Sequence, residues 1–215
     1  MINKELQKRI LSSVFLIPVS FFFIIQGSYT FIFFLSLIFL VTGSEWFKMT
    51  KNKDLLRIFG LFFLFFSFFS SVYLRQYIGL NFFLFLITVC IFTDIGGYFF
   101  GKTIKGPKLT KISPKKTISG FVGGFLLPLL IFYLLIKGEF VSFNNQILTE
   151  NFLSFIFFII TISFISQIGD IAVSYFKRLS GIKNSGNIIP GHGGILDRID
   201  GMIFVFLISY FLYLK

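Results

Sequence analysis

The sequence predicts an all-α, polytopic membrane protein with about seven transmembrane helices and a cytoplasmic N-terminus. Three observations point to it. Of 215 residues 55% are hydrophobic, 36 of the chain's residues are Phe, and the mean hydropathy is +0.88, far more apolar than a water-soluble core of this size needs. The apolar residues fall in long blocks separated by short polar stretches. Lys and Arg number 20 against nine Asp and Glu, and the basic residues collect in alternate gaps between blocks.

The first block, 10–25, follows Lys8 and Arg9. No small-x-small cleavage pattern follows it and further blocks do, so it is read as a retained helix, not a secretory signal. The second, 29–41, is set off by residues 26–28, where either a turn or a re-entrant hairpin fits. Then come 55–74, 78–93, 121–136, 152–168 and 202–214. Several fall short of the roughly 20 residues that cross a bilayer core, which leaves six or eight spans open beside seven. Lipid gives backbone amides no partners, so the spans are helices; none alternates as a barrel strand does. Cys90, the single cysteine, lies inside a block and excludes a disulfide framework or cysteine metal cluster. With no repeat and no linker, residues 1–215 read as a single integral-membrane domain.

Charge fixes the orientation. Lys4, Lys8 and Arg9 precede the first block, and Lys48, Lys51, Lys53 and Arg57 lie between the second and third. Six lysines from Lys102 to Lys116 separate the fourth and fifth, and Lys177, Arg178, Lys183 and Arg198 separate the last two. Only Arg75, Lys137 and Lys215 fall in the other gaps. The positive-inside rule then puts the N-terminus in the cytoplasm and, with seven spans, the C-terminus outside. The basic balance is explained by topology and needs no nucleic acid.

Ionisable residues are costly near a bilayer, so their clustering is informative. Asp94 closes the fourth block, Asp170, Asp197 and Asp200 stand between the last two, and Glu45 is a weaker candidate on the same side. If the sixth helix continues past Gln167, then Asp170, Ser174, Lys177 and Arg178 lie within an arc of about 100°. A solvated helix end with snorkelling bases is the plain alternative. The glycine-rich stretch 184–201 leads into the last span, a turn whose free N–H groups and positive helix end suit a phosphate. His192 within it reads more readily as a loop histidine than as a ligand. Asp197 and Asp200, one turn apart, repel unless a cation sits between them, and Mg²⁺ takes carboxylate and phosphate oxygens together; two carboxylates complementing the helix dipole are the alternative. The basic loop within 94–120 suits anionic headgroups or a triphosphate, its compact 113–117 turn being more than a scattered positive-inside loop requires. Residues 96–103 match the P-loop pattern literally but end an apolar block, with Tyr98, Phe99 and Phe100 in the cradle, and are not read as one.

Residues 166–201 carry a resemblance. Ser166-Gln-Ile-Gly-Asp170, Ser174, Lys177-Arg178, Lys183, Pro190-Gly-His192-Gly193-Gly194 and Asp197-Arg198-Ile-Asp200 closely resemble the signature of bacterial phosphatidate cytidylyltransferases. Upstream, Asp94-Ile-Gly-Gly-Tyr98-Phe-Phe-Gly101 and Ser113-Pro-Lys115-Lys116-Thr117-Ile-Ser-Gly120 resemble two further elements of that family. The likeness covers residues 94–215. Ile95, Ser119 and Asn184 depart from it, standing where the family has a small hydroxyl residue, glutamate and aspartate. The chain is also short for the family, which implies one or two fewer N-terminal spans.

The resemblance implies transfer of the cytidylyl group of CTP to phosphatidic acid, giving CDP-diacylglycerol and pyrophosphate, by a multi-pass enzyme of the bacterial inner membrane whose site faces the cytoplasm. It implies Mg²⁺, with a second monovalent cation such as K⁺, on Asp170 and Asp197, with Asp200 as a further or supporting ligand. Lys177, Arg178, Lys183 and Arg198 would neutralise phosphate charge, and Ser174 would hydrogen-bond a phosphate or metal-bound water. His192 would orient, and Gly193 and Gly194 would let backbone approach the nucleotide. Asp94, Tyr98, Ser113, Lys115, Lys116 and Thr117 would complete the substrate cavity, and a homodimer is compatible. Two rivals stand beside this: a CTP-dependent membrane enzyme acting on a polyprenol, phytol or archaeal-type lipid, and a membrane transporter. The charges gather at one membrane face, which disfavours the transporter.

Overall fold

The computed structural model describes residues 4–51, 53–110, 112–138, 152–191 and 193–214. Among these residues seven α-helices hold most of the chain: α1 Lys4–Gln26, α2 Ser28–Met49, α3 Asp54–Tyr73, α4 Leu80–Thr103, α5 Ile118–Lys137, α6 Phe152–Leu179 and α7 Leu196–Tyr213. The all-α expectation holds. The first six helices are long and apolar enough to cross a membrane, α3 together with the π-helical turn Leu74–Ile78 that continues it. The seventh has 18 residues with Asp197, Arg198 and Asp200 near its start, so its apolar run begins at Met202. Helices outrun the apolar blocks at the polar end: α4 reaches Thr103 and α6 reaches Leu179. That is why the blocks look too short to span.

Residues 26–28 form a tight elbow between two full-length helices. Gly27 alone separates α1 from α2, at φ 64, a backbone state that favours glycine. Arg75, from the π-helical turn, donates from Nε to the Ile24 carbonyl (2.7 Å) and from a terminal guanidinium nitrogen to the Ile25 carbonyl (2.8 Å). These bonds satisfy carbonyls that a helix C-terminus leaves without partners.

Small residues decide how the helices pack, as expected where lipid supplies no hydrophobic drive between spans. The tightest pair is α4 against α5. A Cβ on Gly96 would lie 2.3 Å from the Gly123 carbonyl oxygen, and one on Gly120 would lie 2.6 Å from the Gly97 oxygen. The glycines of the apparent P-loop are therefore part of a helix seam. Trp46 of α2 lies over Gly60 of α3, where a Cβ would come within 1.9 Å of the indole, and meets Phe176 of α6 edge-on at 5.4 Å. A core of Phe31, Phe82, Phe83, Phe85, Leu86 and Val89 fills the middle of the bundle. Outward-facing Phe33, Phe62 and Phe157 are more than half exposed, the surface a bilayer covers.

Candidate active site

Six of the helices bring a basic or acidic end to the same side of the bundle, and a cavity of about 530 Å³ opens there. Its walls are Asp94 and Tyr98 of α4, the 113–117 turn, Gln167 and Asp170 of α6, and Arg198 of α7. The turn is fixed locally. Lys116 N donates to the Ser113 carbonyl at 3.0 Å across Pro114, Leu109 N to the Lys116 carbonyl at 2.8 Å, and Ile118 N to the Pro107 carbonyl at 3.0 Å. Thr117 caps α5, its Oγ1 accepting from Gly120 N at 3.1 Å. Ser119, one of the family departures, bonds the Lys105 carbonyl and the Thr117 hydroxyl, closing the loop on itself. Lys115 and Lys116 are thereby presented to the cavity, and Lys116 Nζ pairs with Asp170 Oδ2 at 2.6 Å.

A second polar cluster lies beside the cavity. Lys177 Nζ meets Asp197 Oδ1 at 2.7 Å, with both side chains more than nine-tenths buried. The other Asp197 oxygen accepts from Ser185 N (2.9 Å) and Gly194 N (3.2 Å). Burial pushes the Asp197 carboxyl up, but the Lys177 hydrogen bond and charge and the two amides outweigh it and hold the group below the usual carboxylate range. Glu45 of α2, 2% exposed, reaches the same loop. It accepts from Ser185 Oγ (2.9 Å), Ile195 N (3.0 Å) and Leu196 N (2.9 Å). Two glycines make room for it: a Cβ on Gly194 or Gly186 would stand 2.6 to 2.7 Å from a Glu45 carboxylate oxygen.

This arrangement corrects one expectation. The N–H groups at the start of α7 are not free for a phosphate, because Glu45 and Asp197 already accept from the amides of Gly194, Ile195 and Leu196. Two internal carboxylates play the part of the anion that a helix N-terminus attracts. Ile189 and Gly193 exchange reciprocal backbone hydrogen bonds, Gly193 at φ 91. Nearby, Arg9 Nε donates to the Gly191 carbonyl at 2.8 Å and Ser12 Oγ to the Pro190 carbonyl at 3.2 Å.

The expected face on α6 is split. The helix does continue through Leu179, but only Asp170 lines the cavity, with Ser174 Oγ a long 3.4 Å from its Oδ1. Lys177 turns to Asp197, and Arg178 donates to the Ile182 carbonyl at 3.1 Å on the exposed side. Lys183 is exposed on the following loop. His192 lies outside the described residues. Asp200 accepts from the Gly201 amide at 3.0 Å and, like Asp94, feels the charge of Asp170. Tyr98, Ser113, Thr117 and Arg198 stand in the cavity wall. Sequence reading undervalued Glu45, which lies 150 residues from Ile195; a lone acid beside Trp46 at a helix end was the only signal.

Among the described residues no three His, Cys, Asp or Glu side chains form a ready metal cluster. The donor set nevertheless suits Mg²⁺, which takes one or two carboxylates and completes its shell with water and substrate phosphate. Asp94 and Asp200 feel the charge of Asp170, whose Oδ2 is paired with Lys116 at 2.6 Å, so a bound cation would share that carboxylate with the lysine.

Residues 55–214 match the model of the cytidylyltransferase family. The chain is 36% identical to the phosphatidate cytidylyltransferase of Rickettsia bellii over 218 residues, covering 98% of this chain and 91% of that protein. The Rickettsia conorii protein of the same name is 36% identical, with 94% and 88% covered. The Staphylococcus saprophyticus protein of that name is 45% identical over 59% of this chain and 46% of its own. With a site assembled from the same segments that carry the signature, the chain belongs to the cytidylyltransferase family.

Proposed function

We propose that this protein transfers the cytidylyl group of CTP to phosphatidic acid: a phosphate oxygen of the lipid attacks the α-phosphorus of CTP, the bond to the β-phosphate oxygen breaks, and pyrophosphate leaves. The observation that carries this is the single cavity shared by the upstream elements and the signature, joined by the Lys116–Asp170 contact of 2.6 Å. The nucleophile is already an anion, so no general base is needed and the chain contributes positioning and charge.

Among the described residues Lys115, Lys116 and Arg198 are the cations that line the cavity, and they would neutralise phosphate charge there. Arg178 and Lys183, on the exposed side, meet the outgoing pyrophosphate. Asp170 and Asp200 would hold Mg²⁺; Asp197, with three hydrogen bonds already accepted, would join through a remaining lone pair, and a monovalent cation would share the site. Bound there, Mg²⁺ would neutralise nucleotide phosphate charge. Asp197 and Glu45 keep the loop before α7 in register, and Gly193 and Gly194 keep it close to both carboxylates. The basic residues at the site end of the bundle support a cytoplasmic site in a bacterial inner membrane.

Purified protein in detergent with Mg²⁺, CTP and phosphatidic acid tests this, with Asp170→Asn beside it. CDP-lipid and pyrophosphate from the parent and none from the variant bear the reaction out. Product only with a polyprenol or archaeal-type lipid would reassign the acceptor, and nucleotide-independent flux across vesicles would replace the enzyme with a transporter.

A further inference from the structure

Gln167 is a cavity residue to which the reaction gives no part. It lines the wall one helical turn from Asp170, and its Nε2 is buried without a hydrogen-bond partner. Its place is built: a Cβ on Gly124 of α5 would sit 2.9 Å from that nitrogen, so the glycine lets the carboxamide lie against the neighbouring helix. A buried amide donor with no acceptor is a standing cost in a low-dielectric interior, recovered when a ligand supplies the acceptor.

Depth identifies that acceptor. Helix α6 runs from Phe152 at the far side of the bundle to Leu179 at the site end, so Gln167 lies about 4.5 Å further into the membrane than Asp170. CTP arrives from water and meets the lysines and Arg198. A phosphatidic acid molecule in the leaflet keeps its phosphate at that level and its acyl-ester carbonyls one step deeper, where Gln167 and, across Gly124, Thr93 line the cavity. Among the described residues the cations that line the cavity belong to the 113–117 turn and the start of α7, at the site end, so the lipid phosphate stays with them and its neutral ester carbonyls reach Gln167.

We infer that Gln167 donates from Nε2 to an ester carbonyl oxygen of the lipid substrate, making it a specificity-determining residue for ester-linked over ether-linked phosphatidic acid. This rests on the cytidylyl-transfer reading above. A site built to hydrogen-bond its substrate discriminates against the analogue that lacks the acceptor, because its own polar group is left unpaired.

The test compares dioleoyl phosphatidic acid with its dialkyl ether analogue in mixed micelles with CTP and Mg²⁺. The parent should show a KM for the ester about tenfold below that for the ether. Gln167→Leu should raise the ester KM to the ether value, leaving the ether KM and the CTP KM unmoved. Equal KM values for the two lipids in the parent overturn the assignment while leaving cytidylyl transfer standing, and this arm needs no variant to fold. A rise in the CTP KM instead of the lipid KM in Gln167→Leu also overturns it. A parent that makes CDP-lipid from neither overturns the reaction and the assignment together.

Discussion

Removing the Glu45 carboxylate should uncouple α2 from the loop that enters α7. Its two oxygens accept three hydrogen bonds, from the Ser185 hydroxyl and the amides of Ile195 and Leu196. A hydrogen bond to a charged acceptor contributes about 1.5–3 kcal/mol, and stranding a buried donor costs about 1–3 kcal/mol. Glu45→Gln keeps the shape but turns one acceptor into a donor facing an N–H, so one bond is lost and one donor is stranded. If the whole of an about 1.5–3 kcal/mol penalty falls on positioning, kcat/KM drops by about tenfold to a hundredfold. Glu45→Leu strands all three donors and should lower activity by roughly a thousandfold or more. The assay is pyrophosphate release, paired with amide hydrogen exchange across residues 185–198. Exchange should quicken there in both variants while the α4–α5 pair stays protected. Glu45→Leu with activity within threefold of the parent and unchanged exchange would refute the claim that this carboxylate organises the loop.

Other outcomes follow from the same geometry. Lys116→Gln, which removes the charge paired with Asp170 at 2.6 Å, should lower kcat/KM by about a hundredfold; steady-state constants for both substrates left at parent values would exclude Lys116 from the site. The Lys177–Asp197 pair is buried, so Asp197→Leu or Lys177→Met alone should destabilise the protein by about 3–5 kcal/mol, while the double variant recovers much of that loss. Thermal unfolding of all four proteins in detergent closes the cycle, and strictly additive effects would dissolve the pair. Gly96→Ala drives a methyl to 2.3 Å from the Gly123 oxygen, whereas at Gly97 the nearest atom is 3.6 Å away. The first should lower the Tm by an amount corresponding to about 1–3 kcal/mol and the second should barely move it; equal shifts would contradict the seam.

The fold class was legible because the bilayer's demand on backbone hydrogen bonding leaves helices as the only reading of long apolar blocks. Helix ends were less so. Thr103 and Leu179 lie past the apolar stretches, and hydropathy cannot register polar turns that continue a span. Of the charged residues that the motifs single out, Asp94, Lys116, Asp170 and Arg198 line one cavity, while Asp197, Asp200 and Lys177 stand outside its lining. The role of the helix α7 start could not be read from motifs. A glycine-rich turn before a helix looks like an anion site whether its amides await a ligand or are filled from within, and only the contact between residues 45 and 195 separates the two. Gln167 was visible as a motif letter, but its missing partner is a property of three dimensions.

The glycine seam of α4 and α5 has a mechanical consequence. Where two spans touch backbone to backbone, with Gly96 against Gly123 and Gly97 against Gly120, the side chains of Phe100 and Leu127 press directly on the opposite helix and leave little room for one span to slide on the other. Asp94 and the 113–117 turn are both mounted on this welded pair, so they form the stationary jaw of a vice. Any opening and closing that admits a lipid or frees a product therefore falls to the opposite jaw, α6 and α7, whose loop hangs on a few hydrogen bonds and one ion pair.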